Sequence, residues 1–236
     1  MLEWAMLRLH YAPDNASLII RIALEELGLS YETRLVDRRV SAQKSASYRV
    51  LNPRGQIPVL ETPDGPIFET AAILLWLTEQ TGALAPSAGS PDRGAFLAWM
   101  FALSNGMHTD LRGLFYTERY AGPDADAIAQ HRALTVERLR AALGRLEALA
   151  GQGHGWFCGE ALSVLDIYVA VLLRWPALYP AGATGWFRLA DWPALAALAA
   201  RIETRPSMIR AQAAEGLGPA PLTAPRPAHP PEGSAL

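Results

Sequence analysis

The segment NPRGQIPVLETPDGPIFETAAILLWL, residues 52–77, decides the fold of this chain. Its two short apolar runs, IPVLE and PIFE, flank a turn that ends in Asp64 and Gly65. An Asp-Gly pair between two such runs is a strong signal for a β-hairpin. Apolar residues then recur at helical spacing from about Thr70 to Gln80. The segment therefore predicts two antiparallel strands followed by a helix.

The residues before this segment predict a strand, a helix and a second strand. Residues 7–11 alternate apolar and polar types, residues 17–27 carry an apolar stripe that Gly28 ends, and residues 31–36 form the next short run. Such a unit suits two parallel strands joined by a crossover helix. The order βαβ followed by ββα is that of a thioredoxin-like module, which we assign to residues 6–82.

The rest of the chain is predicted to be helical. Residues 82–94 are rich in Gly, Pro and Ser and are typical of a linker. The predicted helices span roughly 95–120, 124–150, 163–173 and 192–205. Residues 213–236 are rich in Pro, Ala and Gly without periodicity, which favours disorder. The predicted fold class is thus an α/β module followed by an all-helical domain at 93–212.

Composition excludes several classes of protein. The 236 residues carry a formal net charge of −2, which gives no electrostatic basis for binding nucleic acid or an anionic membrane. The single cysteine, Cys158, excludes an internal disulfide and any CxxC redox or zinc motif, and we expect no metal. No signal-peptide pattern and no run of about 18 apolar residues occurs, so we expect a cytoplasmic protein. Met6 is an alternative start, with residues 1–5 as a short extension.

Several motifs resemble those of the cytosolic glutathione transferases, which place a thioredoxin-like module before an all-helical domain. NPRGQIPVL is similar to the family segment in which Asn-Pro-x-Gly precedes a cis-proline. The resemblance covers roughly residues 7–212. The matching positions are Pro58 for the cis-proline, Glu69-Thr70 for the family's Glu-Ser pair, Ser163 to Asp166 for a buried capping box and Arg205-Pro206 for the terminal-helix motif.

The resemblance implies how glutathione is held. A cis bond before Pro58 would turn the N–H and C=O of Ile57 toward the cysteinyl unit of glutathione. Thr70 lies at a predicted helix start, where free N–H groups and the helix dipole favour the γ-glutamyl carboxylate. Glu69 can pair with the γ-glutamyl ammonium, and Gln56 can contact the peptide from its other side. We therefore expect glutathione as the co-substrate.

The residue that would activate the glutathione thiol is not the Cys or Ser of the family motifs. The segment YAPDNASL resembles the beta-type pattern, whose Cys would fall at Ala16, and the zeta-type pattern, whose Ser would fall near Asp14. Three candidates remain. Asn15 can donate an amide N–H to a thiolate, and Ser17 can donate a hydroxyl or simply cap the first helix. Tyr11 can donate a phenol, or can point into the module.

The electrophile is expected to bind in a pocket between the two modules, lined by the first long helix. A histidine on such a helix is more often a hydrogen-bonded surface or interface residue than a catalytic base. An arginine there either meets a carboxylate of the substrate or belongs to a solvated helix face. Cys158 is interpreted as a packed thiol. The pocket residues are predicted to be Asn105, His108, Arg112, Phe115, Tyr116 and Arg119.

These motifs predict a homodimeric glutathione transferase that joins the glutathione thiol to a small electrophile, a detoxification chemistry. One alternative is a glutathione-dependent disulfide reductase or isomerase on the same scaffold. A second alternative, of another class, is a stress protein that binds glutathione with little turnover.

Overall fold

A computed structural model describes residues 6–235 of the chain. The expected extension at residues 1–5 lies outside the described residues. The chain divides into two compact units. The first comprises the described residues up to Leu84 together with those from Glu203 onward, and the second is Ala85–Ile202. Among the described residues, no helix is both long and apolar enough to cross a membrane.

The first unit is built on a four-stranded mixed sheet in the order β2-β1-β3-β4. Strands β1 and β2 pair in parallel, and β1–β3 and β3–β4 pair antiparallel. Leu7 and Leu9 of β1 are fully buried, as alternation along a half-buried strand requires. The strands are β1 (Leu7–Tyr11), β2 (Tyr31–Leu35), β3 (Val59–Thr62) and β4 (Gly65–Phe68). The predicted hairpin and the thioredoxin-like fold class are confirmed.

Helices α1 (Ser17–Leu27) and α3 (Thr70–Thr81) pack together in this unit. Each ends at a glycine with a left-handed backbone, Gly28 with φ 65° and Gly82 with φ 66°, which is the usual helix stop. A short helix that the sequence did not predict, α2 (Ala46–Leu51), precedes β3. The Ser45 hydroxyl accepts a hydrogen bond from the Tyr48 N–H and so caps this helix.

The second unit is entirely helical. Strong packing surrounds α8, whose residues are all buried. The predicted capping box at its start is confirmed, because Ser163 and Asp166 each bond the backbone N–H of the other. The helices of this unit are α4 (Arg93–Ala102), α5 (His108–Phe115), α6 (Thr117–Ala121), α7 (Ala125–Ala150), α8 (Val164–Arg174) and α9 (Pro193–Glu203, which ends just past the unit).

The prediction of one continuous helix over 95–120 is wrong, because the helix is interrupted twice. A π-helical turn at Leu103–Met107 separates α4 from α5, and Tyr116 leaves the helical conformation at φ −119° and ψ 44° before α6 begins. Apolar spacing alone does not report such a turn, because the stripe of buried residues continues across it.

The C-terminal residues differ from the predicted disordered tail at 213–236. Helix α10 (Pro206–Glu215) starts at Pro206, and its last residues, 213–215, belong to the segment predicted to be disordered. Beyond it, Leu217 and Leu222 are 0% and 1% exposed. The N–H groups of Leu222 and Thr223 donate to Glu203 at 2.7 and 2.9 Å. The Pro-rich composition therefore coexists with specific packing on the first unit, to which α10 belongs.

Candidate functional site

The sheet register brings three separate segments to one edge. His10 pairs with Val59, and Val59 pairs with Phe68. The end of β1, the residues just before β3 and the residues just after β4 are therefore neighbours at that edge. These are the loop 11–17, the segment 52–58 and the start of α3, so the structure brings together the predicted thiol loop and the predicted glutathione-binding residues.

The segment 52–58 is held by a buried asparagine. Asn52 is 1% exposed, and its side-chain amide donates to the Gln56 C=O at 2.8 Å and accepts from the Arg54 N–H at 3.0 Å. Gly55 has φ +61°, and a Cβ there would lie 2.8 Å from the Gln43 C=O. Asparagine and glycine at these two positions of NPRG are thus required by the turn itself.

The residue before Pro58 presents free backbone groups. The Ile57–Pro58 peptide bond is cis, as predicted. The Gln56 C=O is already occupied, since it also accepts from the Tyr48 hydroxyl at 2.9 Å. Within residues 6–235, neither the N–H nor the C=O of Ile57 has a hydrogen-bond partner. One donor and one acceptor are therefore available side by side for an extended peptide.

The start of α3 provides a polar N-terminus at the same edge. Glu69 occupies the N-cap position with φ 72°, and Thr70, the first helical residue, is 6% exposed. The first N–H groups of a helix have no partner within it, and they favour an anion. An exposed ion pair joins Arg54 to Glu69 at 2.9 Å. Sequence reasoning missed Arg54, although its place beside Gly55 in the NPRG turn is the signal that could have indicated it.

The loop 11–17 is closed internally by Ser17. The Ser17 hydroxyl donates to the Ala12 C=O at 3.0 Å and accepts from the Ala12 N–H at 3.2 Å. Ser17 is fully buried and is the first residue of α1, while Ala16 holds the cap position without a side-chain bond. Of the two alternatives for Ser17, the cap of the first helix is therefore wrong, and the Ser17 hydroxyl bonds within the loop instead.

Tyr11 points into the first unit. Its hydroxyl donates to the Glu232 carboxylate, and the Arg21 guanidinium lies 4.6 Å from the centre of its ring. Burial, reinforced by Glu232, raises the pKa of the Tyr11 phenol far above its usual range. The Tyr11 side chain is therefore buried, and its hydroxyl is held by Glu232 of the C-terminal segment.

Asn15 is the candidate whose side chain is uncommitted. It is half-buried, and across residues 6–235 its amide makes no side-chain hydrogen bond, although its C=O accepts from the Leu18 N–H at 2.8 Å. The preceding residue, Asp14, is 5% exposed and has a left-handed backbone with φ 49°. An aspartate tolerates this conformation better than most residues. The turn at Asp14 thus sets the position of Asn15.

The predicted pocket residues all lie in the second unit, and His108 is packed among aromatic rings. Its Nδ1 lies 2.7 Å from the Tyr168 hydroxyl, and its ring is 5.6 Å from that of Trp175. Burial, with a smaller contribution from Arg112, lowers the pKa of His108 to about 4. The imidazole is therefore neutral near pH 7, and its Nδ1 is engaged by the Tyr168 hydroxyl.

The other predicted pocket residues differ in the contacts that their side chains make. Asn105 is exposed in the π-helical turn. The Arg112 guanidinium donates to the Tyr120 hydroxyl at 2.8 Å. The ring of Phe115 lies 6.5 Å from Trp175 and 5.9 Å from Tyr179, and Arg119 stacks 4.4 Å from the ring centre of Tyr116. Aromatic surface and two arginines are thus available on α5 and α6.

Cys158 has the environment of an unreactive thiol. Burial raises its pKa to about 12, and the Asp166 carboxylate adds to this effect. A nucleophilic cysteine needs the opposite shift. Among the described residues, no group of three or more His, Cys, Asp and Glu side chains is arranged to hold a metal ion.

Comparison with known proteins agrees with this geometry. The family model "Glutathione S-transferase, N-terminal domain" matches residues 16–80, and "Glutathione S-transferase, C-terminal domain" matches residues 129–201. The disulfide-bond oxidoreductase YfcG of Escherichia coli (strain K12) is 31% identical, over 86% of this chain and 92% of that protein. The chain therefore belongs to the cytosolic glutathione transferase family.

Two other members of the family are also similar to this chain. Glutathione S-transferase GstA of Escherichia coli O157:H7 is 26% identical and covers 89% of this chain and 100% of its own length. A sphingomonad glutathione S-transferase, solved in complex with glutathione, is 34% identical and superposes with a TM-score of 0.73 over 89% of this chain and 100% of that chain.

Proposed function

We propose that the protein binds glutathione at the sheet edge described above and joins its thiol to a small electrophile. One observation carries the proposal. The sheet register brings the loop 11–17, which carries Asn15, to the same edge as the unpaired backbone of Ile57 and the start of α3. Peptide recognition and thiol activation both need such neighbours.

Each part of glutathione has a matching group in this proposal. Ile57 pairs its N–H and C=O with the cysteinyl unit, as strands pair. The γ-glutamyl carboxylate is bound by the Thr70 hydroxyl and the free N–H groups of α3. The Glu69 carboxylate pairs with the γ-glutamyl ammonium, although it already forms an ion pair with the guanidinium of Arg54. Gln56 contacts the peptide from the other side. A relative solved in complex with glutathione supports glutathione as the ligand.

Activation of the thiol is assigned to Asn15. A free thiol has a pKa of about 8.5, so ionisation near neutral pH needs a shift of about two units, or about 2.7 kcal/mol in favour of the thiolate. The Ser17 hydroxyl already donates to the Ala12 C=O, and the Tyr11 hydroxyl already donates to the Glu232 carboxylate. The Asn15 amide N–H and the backbone N–H groups at the start of α1 are the donors that remain.

The second substrate is proposed to contact the aromatic surface of α5 and α6. Phe115 and Tyr116 supply apolar area there, and Asn105 supplies an exposed amide. Arg119 and Arg112 favour an electrophile that carries a carboxylate, with the hydroxyl of Tyr120 competing for Arg112. His108, being neutral and packed, shapes this surface and is not assigned a proton-transfer role. The predicted homodimer stays part of the proposal and is checked by the solution mass.

A titration of bound glutathione tests the mechanism. The ultraviolet absorbance of the thiolate is followed against pH with the wild type and with Asn15→Ala. We expect the wild type to show thiolate below pH 7, and Asn15→Ala to raise the apparent thiol pKa by about one unit, with an about threefold loss of turnover at pH 7. Glutathione affinity should change little. A wild-type complex without thiolate near neutral pH would favour the non-catalytic binding protein.

A second activity is favoured by the similarity to the disulfide-bond oxidoreductase YfcG. In this chemistry the bound glutathione thiolate attacks a glutathionyl mixed disulfide, releases the substrate thiol with a proton, and leaves as oxidised glutathione. The protein needs no cysteine for this step, consistent with the raised pKa of Cys158. Turnover of a glutathionylated thiol that exceeds turnover of electrophiles would select this activity.

A further inference from the structure

The last residue of α10 reaches the thiol loop. Glu215 is fully buried. One carboxylate oxygen accepts from Arg21 Nε on α1 at 2.8 Å, and the other accepts from the Asp14 N–H at 2.8 Å. Burial raises the pKa of Glu215 to about 7, while the two donors favour the carboxylate. Two donors directed at two oxygens suit the ionised form, because a protonated oxygen would lose one of these bonds.

This bond is made at the turning point of the loop. Asp14 has φ 49°, and the next residue is Asn15. Ser17 closes the loop from inside through its two bonds to Ala12. Glu215, which lies outside the loop in sequence, accepts from the Asp14 N–H of the same loop, and its partner Arg21 also covers the ring of Tyr11. The conformation around Asn15 is therefore fixed at both ends.

We propose that Glu215 is a positioning residue for thiol activation, whose carboxylate holds the Asp14 N–H so that the Asn15 amide faces the glutathione sulfur. The inference rests on the proposed function of this site. It makes the C-terminal helix α10 part of the glutathione site, although no residue of α10 touches the thiol in this scheme. Glutathione recognition by Ile57 and Thr70 does not depend on it.

Other bonds between α1 and α10 separate positioning from simple packing. Glu26 binds Arg205 and accepts from the Ser207 hydroxyl at 2.7 Å. Glu25 binds Arg210. These two pairs join the same helices as Glu215 does, yet neither reaches the loop. Glu26→Gln is therefore a matched control for Glu215→Gln.

The test compares these two variants at about pH 8, where Glu215 is mostly ionised. For Glu215→Gln we expect the pKa of bound glutathione to rise by about one unit, with the glutathione KM changed less than about twofold. Because a thiol of pKa about 7.5 is still mostly ionised at pH 8, kcat should fall less than about twofold at this pH and up to about tenfold below pH 6.5. The hydrogen exchange of the Asp14 amide should accelerate about tenfold or more. For Glu26→Gln we expect a lower melting temperature, with the thiol pKa and the Asp14 exchange as in the wild type.

A double variant removes the risk that an unpaired Arg21 unfolds the protein. Arg21→Leu with Glu215→Met deletes both charges, and apolar replacement of a buried ion pair is often neutral for stability. It should show the same rise in thiol pKa and the same faster Asp14 exchange. If both Glu215 variants only lower the melting temperature, as Glu26→Gln does, Glu215 is a helix contact and the positioning role is overturned.

The Asp14 exchange also separates this inference from the proposed function. A wild type that never ionises glutathione would disprove the transferase mechanism. Slow Asp14 exchange that depends on Glu215 would still show the loop to be held from α10. Fast exchange in a wild type that does ionise glutathione would disprove the positioning role alone.

Discussion

Two regions at one edge of the sheet are stabilised in opposite ways. The segment 52–58 and the start of α3 are fixed mainly by nearby residues, as when Asn52 bonds the C=O of Gln56 four positions ahead. The loop 11–17 combines a local bond from Ser17 with a bond to Glu215, 201 positions away. The proposed recognition of the glutathione backbone thus depends on local contacts, whereas the proposed activation of its sulfur depends on the far end of the chain.

This difference predicts that affinity and thiol ionisation can be changed separately. Substitutions in the segment 52–58 or at the start of α3 should weaken glutathione binding. Substitutions in the loop 11–17 should shift the thiol pKa with little change in affinity. The following variants test that separation, beginning with the largest expected effect.

Asn15→Asp should have the largest effect, on the thiol. The side chains have nearly the same shape, but a carboxylate beside the sulfur repels a thiolate and can raise its pKa by about two units. We expect about 25-fold less thiolate at pH 7 and a glutathione affinity within about threefold of the wild type. Thiolate absorbance and calorimetric titration measure the two quantities. Loss of affinity at an unchanged thiol pKa would contradict the assignment of Asn15.

Asn52→Ala should mainly affect binding and stability. The substitution leaves the Arg54 N–H without its partner and removes one donor from the Gln56 C=O, which costs about 2 kcal/mol in a buried turn. We expect glutathione affinity to fall about tenfold or more, because the turn positions Ile57. Urea unfolding and calorimetry measure the two effects.

Thr62→Ala is the control for this prediction. The Thr62 hydroxyl donates to the Gly65 C=O at 2.8 Å and accepts from the Asp64 N–H at 3.2 Å, so it stabilises the far turn of the same hairpin. Its loss should lower stability and leave the affinity for glutathione unchanged. Equal losses of affinity in the two variants would mean that the segment 52–58 has no local role in recognition.

Thr70→Val should reduce affinity by a smaller amount. Valine keeps the shape of threonine and removes the one hydroxyl donor to the γ-glutamyl carboxylate, a loss of about 1 kcal/mol or fivefold in dissociation constant. Thr78→Val provides the control on the same helix, since the Thr78 hydroxyl donates to the Leu75 C=O at 2.8 Å. Titrations that show no difference between the two variants would remove Thr70 from the site.

The elements that could be predicted from the sequence are those whose signals lie within the element itself. The apolar stripe and Gly28 predicted α1 with the bounds that the structure shows, and the hairpin followed from Asp64 and Gly65, because these signals lie within each element. Helix α10 was missed because Arg205-Pro206 was interpreted as an end. A proline is equally suited to the first position of a helix, and here it begins one.

The site was predictable to the extent that its contacts are close in sequence. The motif NPRGQIP carries its own turn, so the neighbourhood of Ile57 followed from it. Nothing near Glu215 indicates that its carboxylate binds the Asp14 N–H, since that contact exists only after the sheet and both helices have formed. The same holds for the commitment of the Tyr11 hydroxyl to Glu232.

Cys158→Ser should have the smallest effect, and it sharpens the comparison by testing a thiol outside both regions. Burial raises the pKa of the Cys158 thiol from 9.0 to about 12, so the neutral form is favoured in the folded protein. This shift leaves stability unchanged below about pH 9 and reduces it only at higher pH.

At about pH 8 the thiolate fraction of Cys158 is about 1,000-fold below that of an ordinary cysteine, and alkylation should be correspondingly slow. Iodoacetamide labelling followed by mass spectrometry measures this rate, and turnover of Cys158→Ser should equal that of the wild type. Rapid labelling accompanied by inactivation would place a second reactive sulfur in the protein and weaken the assignment of catalysis to bound glutathione alone.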